Sequence, residues 1–162
     1  MPTALITGAG RGIGGGLAQA YASEGWRVFA AVRRPDAAGF GDGIEAVPLD
    51  AGDPRSIAAL AERLQDTPLD LLIANAGVYG RNDLNPDAWL EVLRVNTLGP
   101  TRLADALRHN LAQAGGKMVA ITSGMGSIGD ASSGSIPYRR RRRRSIWRGG
   151  AWPTNTGAKA WQ

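Results

Sequence analysis

The chain contains no cysteine. That excludes a disulfide framework and thiolate metal sites, and it suits a reducing cytoplasm, where we expect the protein to reside. No apolar run approaches the roughly 20 residues a membrane-spanning helix needs, and no charged segment precedes an apolar one at the N-terminus. Membrane partners are therefore not expected. Acidic residues are also missing, but only from one part of the chain. Residues 1–138 hold all 14 acids and 11 of the 19 basic residues, a net charge of −3. Residues 139–162 hold the other 8 basic residues, no acid, and three of the five tryptophans. The composition breaks at Tyr138, so the basic pI describes the tail alone.

What is present before the break is alternation. "TALIT" (Thr3 to Thr7) is a short apolar run ending in glycines, the pattern of a buried strand. Ile13, Leu17, Ala18 and Tyr21 then recur at helical spacing between Gly12 and Ser23. Further strands are expected at Arg27–Arg33, Ile44–Asp50, Leu69–Gly77 and Lys117–Thr122, with Pro48 weakening the end of the third. Asp53 as N-cap and Pro54 at the first helical position start a second helix. A single long helix is expected over Pro86–Ala114, through Trp89, Leu90, Leu93, Leu103 and Leu107. Strands alternating with helices imply an α/β fold. We expect a three-layer, Rossmann-like, doubly wound parallel sheet over residues 1–138, lacking its final strands.

The first strand-to-helix turn carries the chemistry. "LITGAGRGIGGGLAQA" fits two glycine registers there, GxGxxG from Gly10 to Gly15 and TGxxxGxG from Thr7 to Gly14. Glycines at such a turn let the backbone approach a pyrophosphate, which the following helix N-terminus attracts. A ligand-free flexible turn is the alternative. So many adjacent glycines are costly unless the backbone needs them.

With the second register, the chain resembles the short-chain dehydrogenase/reductase family over residues 3–138. Asp50 at the end of the third strand, "NAG" (Asn75, Ala76, Gly77) after the fourth, Asn96 in "VNTLGP" and Ser123 in "ITSGMGSIG" fit the same order. The drawn-out serine-to-tyrosine segment is similar to that of the small carbonyl reductases near the C-factor and sniffer proteins. The resemblance implies a cofactor site of Thr7, Gly8, Arg11, Gly12, Ile13, Gly14, Arg33, Asp50, Asn75, Ala76 and Gly77. It implies Tyr138 as general acid or base, Ser123 as the hydroxyl holding the substrate oxygen, and Asn96 as support for a proton-relay water. Ser127 is a weaker candidate for the serine. His109 reads as an exposed helix residue without chemistry. No metal is expected, since hydride passes directly between nicotinamide and carbon.

An acid at the end of the second strand would bind ribose hydroxyls and repel a 2′-phosphate. Arg33 and Arg34 stand there, with Arg11 in the glycine turn, so NADP(H) is expected over NAD(H). For Arg34 a solvated loop charge is an equal alternative. The substrate class is a small carbonyl compound or alcohol, and the family implies a homo-oligomer. A free phenol has a pKa of about 10 and needs nearby positive charge to work near neutrality. The family supplies a lysine four residues after the tyrosine. Arg142 stands at that position, so activity is expected to suffer, and a dinucleotide-binding protein without catalysis is the alternative function.

The run Arg139–Arg144 has three readings: a basic tail for nucleic acid, a solvated disordered terminus, or a reading-frame change, which we prefer. Nucleic acid is accordingly not the expected partner. A subgroup-like continuation Tyr-Arg-Ala-Ser-Lys-Ala-Ala-Leu-Asn-Met-Ala can be written in GC-rich codons. Loss of one G after the second codon then yields Tyr-Arg-Arg-Arg-Arg-Arg-Arg-Ser-Ile-Trp-Arg, the segment Tyr138–Arg148. Resequencing the gene across codons 138–145 should reveal a second frame that restores the lysine. An arginine run with no such frame would contradict this reading.

Overall fold

The computed structural model describes residues 1–37, 39–80 and 85–123. Tyr138, Ser127 and the basic tail 139–162 lie outside these.

Five strands form one parallel sheet: β1 Thr3–Thr7, β2 Arg27–Val32, β3 Ile44–Pro48, β4 Leu71–Ala74 and β5 Lys117–Ala120. Their spatial order is β3-β2-β1-β4-β5. The chain winds outward from β1 through β2 to β3, crosses back to β4, and continues to β5. The winding therefore reverses between β1 and β4, where open α/β sheets place their ligands. Ile6 pairs with Ala30 on one side and Ile73 on the other, which keeps the C-terminal ends of β1, β2 and β4 level.

All five residues of β1 are buried, as expected for a strand covered on both faces. Side chains alternate between two cores. Leu5, Phe29, Ala31, Val47 and Leu72 face α2 (Pro54–Arg63), α4 (Gly99–Ala106) and α5 (Arg108–Ala114), meeting Ile57, Leu60, Leu103, Leu107 and Leu111. Ile6, Val28, Ala30 and Ile73 face α1 (Gly12–Ser23), meeting Leu17, Ala18 and Tyr21. This is the doubly wound parallel sheet the alternation implied. Beyond α1 the second face is less covered: Val119 on β5 is 43% exposed. No helix among the described residues is long and apolar enough to cross a membrane.

Local signals explain most element ends. Asp53 accepts a hydrogen bond from the Arg55 N–H at 2.9 Å and Pro54 opens α2, as their order implied. Pro48 ends β3 two residues early. Because β3 is an outer strand, the missing N–H leaves no ladder partner unpaired. The ladder is also shorter than expected at β2, β4 and β5.

The long helix is the main correction. Residues 86–114 form α3 (Pro86–Leu93), a π-helical turn (Arg94–Leu98), α4 and α5. Pro100 is the physical cause of the first break. It has no N–H to give to the Asn96 carbonyl, and its ring crowds that carbonyl. Gly99 then lets α4 sit tight on the β3–α2 connection, where an added Cβ would lie 2.6 Å from the Ala51 carbonyl oxygen. The second break falls at Leu107, whose backbone leaves the helical region at φ −105° and ψ 10°.

Candidate dinucleotide site

The end of β1 is tied to the end of β4 by one threonine and one asparagine. The fully buried Thr7 hydroxyl accepts hydrogen bonds from the Asn75 and Ala76 N–H groups, both at 3.0 Å, and donates to the Ile73 carbonyl at 3.4 Å. The Asn75 side-chain amide returns the contact, donating to the carbonyls of Thr7 at 3.0 Å and Gly8 at 3.3 Å. Both residues therefore hold the glycine turn against the end of β4.

The glycines of the turn are needed for different reasons. Gly8 has φ +66°, and a Cβ there would lie 2.9 Å from the Ala76 Cα. Gly14 lies in the first turn of α1, and a Cβ there would strike the Asn75 amide and the Gly8 carbonyl. These two close the turn onto the "NAG" segment. Gly12, with φ +58°, is different: a Cβ would meet nothing within 4 Å. Gly12 faces the cleft, so its bareness leaves room for a ligand. Helix α1 begins at Gly12 with no side-chain cap from Arg11 and no acid in its first turn. Its leading N–H groups are thus available to an anion.

In front of this turn lies an open cleft of about 1130 Å³. Gly8, Arg11, Gly12, Ile13, Arg33, Asp50, Asn75, Ala76 and Gly77 line it, whereas Thr7 and Gly14 stand behind them as support. Arg34 lines it too. Arg33 and Arg34 leave the end of β2 exposed, and neither they nor Arg11 form an ion pair among the described residues. Asp50 is held in a tight turn: its carboxylate accepts from the Gly52 N–H at 2.9 Å, and its own N–H donates to the Ser56 hydroxyl at 2.8 Å.

A second, adjoining pocket of about 350 Å³ shares Ile13, Asn75, Gly77 and Val78 with the cleft and adds Tyr79, Ile121, Thr122 and Ser123. Ser123 is therefore beside the glycine turn. Asn96, 4% exposed, bridges the Val78 backbone: its side-chain oxygen accepts from the N–H at 2.9 Å and its amide donates to the carbonyl at 2.7 Å. Its amide is thus committed to holding the loop after β4. Tyr138 lies outside the described residues, as does Ser127. His109 is exposed on α5, within 3.1 Å of the Gln113 side chain.

Several lining residues escaped the motif reading. Glu91, Arg94, Val95, Leu98 and Arg102 form one helical face along the cleft, and the signal was their spacing of three, four and seven. Gly52 admits this face, since a Cβ there would approach Val95 to 3.0 Å. Tyr79 follows "NAG" by two residues and matches no motif.

A model of the short chain dehydrogenase family matches residues 2–138. Protein FixR of Bradyrhizobium diazoefficiens is 34% identical over 143 residues, covering 76% of this chain and 50% of FixR. Galactitol 2-dehydrogenase of Agrobacterium fabrum is 35% identical over 140 residues, 79% of this chain and 55% of that protein. The chain thus spans about half the length of these relatives. Among solved structures, a carbonyl reductase from Pseudomonas aeruginosa PAO1 in complex with NADP superposes with a TM-score of 0.81 at 31% identity. That match covers 90% of this chain and 72% of the reductase. An alcohol dehydrogenase from the archaeon Thermococcus sibiricus, complexed with 5-hydroxy-NADP, has a TM-score of 0.78 at 25% identity, with 90% and 67% covered.

Replacing Thr7 by valine keeps the shape and removes the hydroxyl that serves Asn75, Ala76 and Ile73. Two partly buried N–H groups lose their acceptor, so Thr7→Val should cost about 1–3 kcal/mol of stability, whereas Thr7→Ser should cost less. Urea midpoints of the three proteins test this; equal midpoints would contradict it.

Proposed function

The chain belongs to the short-chain dehydrogenase family, and on that premise we propose that it is an NADP(H)-dependent oxidoreductase interconverting a carbonyl compound and its alcohol. The observation that carries the cofactor side is the pair of arginines immediately after β2. Arg33 and Arg34 line the cleft there together with Arg11 of the glycine turn. Guanidinium forks match phosphate oxygens, and arginines stand at positions 33 and 34 in place of an acid that would repel a 2′-phosphate. The remaining cleft fits the rest of the dinucleotide. Gly12 is bare toward it, the first turn of α1 offers N–H groups for the pyrophosphate, and Asp50 is fixed in its turn for the adenine. The similar carbonyl reductase from Pseudomonas aeruginosa is itself in complex with NADP.

When bound, the dinucleotide supplies the hydride for reduction and takes it back in oxidation. The residues of this chain do the rest. Thr7 and Asn75 hold the turn, and Ile13 and Gly77 border the space shared by the two pockets. Ser123 donates a hydrogen bond to the carbonyl oxygen, and Tyr138 gives that oxygen its proton. Asn96 is a positioning residue that sets Val78 and so the wall between the pockets. The small carbonyl reductases remain the subgroup we favour, on the interval between Ser123 and Tyr138. Arg142, in place of the family's lysine, favours a second reading: dinucleotide binding with little or no turnover.

Calorimetric titration of the full chain with NADPH and NADH tests the cofactor reading. NADPH should bind more tightly, and Arg33→Glu should weaken NADPH about tenfold or more while sparing NADH. Equal affinities, or an equal loss of both, would contradict it. Ketone-dependent NADPH oxidation, raised by Arg142→Lys, separates the enzyme from the non-catalytic reading. NADPH binding without turnover in either protein would favour the latter.

A further inference from the structure

Two of the largest exposed apolar side chains among the described residues converge on one pocket. Ile13 is 67% exposed and Tyr79 is 53% exposed, and both line the 350 Å³ pocket beside Ser123. Val78 and Ile121 extend the same wall. Exposed apolar groups scattered singly need no explanation, but their convergence in a concavity with a few polar groups marks a ligand site. The polar groups are neutral: Ser123 and Thr122 hydroxyls and the Asn75 amide. Among the described residues lining this pocket none is charged, whereas the neighbouring cleft carries five arginines against three acids, Asp50, Asp53 and Glu91. Among the described residues the site is thus divided into a net cationic end and a neutral, apolar end.

We infer that the neutral end selects an uncharged substrate whose carbonyl carries an aromatic ring, and that Tyr79 determines this specificity by packing against that ring. This rests on the oxidoreductase reading above and adds the substrate class. The chemistry follows from what the wall can recognise. Among the described residues no cation stands there to receive a carboxylate or phosphate on the substrate, which would be desolvated against this wall. A polyhydroxylated chain would meet Val78 and Ile121 with its hydroxyls unpaired. An aryl ring loses nothing on leaving water, and it stacks offset or edge-on against a phenol ring. Ser123 supplies the hydrogen bond that orients the carbonyl. Tyr79 is placed by the loop that Asn96 anchors through Val78, so its position depends on a buried contact.

Saturation-transfer NMR on the full chain with bound NADPH tests this without relying on turnover. Acetophenone should bind, and 4-acetylbenzoate should bind at least roughly tenfold more weakly in the wild-type protein. Tyr79→Ala should weaken acetophenone roughly three- to tenfold, with Tyr79→Phe staying within about twofold of wild type. Calorimetry on the same samples should show NADPH affinity unchanged in both variants. Acetophenone and 4-acetylbenzoate binding alike, or Tyr79→Ala leaving acetophenone unaffected while NADPH still binds, would overturn the substrate inference and leave the cofactor reading standing. A wild-type chain that fails to bind NADPH would overturn the cofactor reading, and the substrate inference with it.

Discussion

The contact on which the site depends is the exchange of hydrogen bonds between Thr7 and Asn75. A parallel sheet that reverses its winding direction leaves a crevice between the two central strands, with backbone groups at both strand ends unpaired by the ladder. Here one buried hydroxyl accepts from two of those N–H groups, and one amide donates to two carbonyls. The crevice is thereby fixed in width before any ligand arrives. The close approach of Gly8 to Ala76, and of Gly14 to Asn75, is a consequence of that fixed width.

The glycine turn then divides its labour. Two glycines are demanded by protein–protein packing and one by open space. A count of glycines cannot separate these roles; the Cβ contacts do. It follows that substitutions at Gly8 and Gly14 act through folding as much as through binding, whereas Gly12 carries mainly the positive φ and the approach to the cleft. The charges are divided in a similar way. Arginines gather in the larger cleft, and the pocket around Ser123 is neutral among the described residues.

Much of this was legible in the sequence because the signals are local. The run Thr3–Thr7, the glycines after it, and the Asp53–Pro54 helix start each act within a few residues. Less legible was whatever depended on a distant partner. Apolar spacing alone carries one helix from Pro86 to Ala114, but Pro100 removes a donor from the Asn96 carbonyl and the helix opens into a π turn. The proline was visible; the buried asparagine turned onto Val78 was not. Tyr79 and the face formed by Arg94, Leu98 and Arg102 belong to no motif, and only the fold brings the one to the smaller pocket and the other to the cleft. Tyr138, which the motif order singles out, lies outside the described residues, so its role rests on the sequence.

The central claim is that the reversal between β1 and β4 is a preformed dinucleotide site. Amide hydrogen exchange of the full chain, with and without saturating NADPH, tests it most directly. The account predicts slowed exchange confined to the backbone around residues 10–14, 32–34, 50–52 and 75–78, the segments that border the cleft. Unchanged exchange there, or protection confined to another part of the molecule, would contradict it.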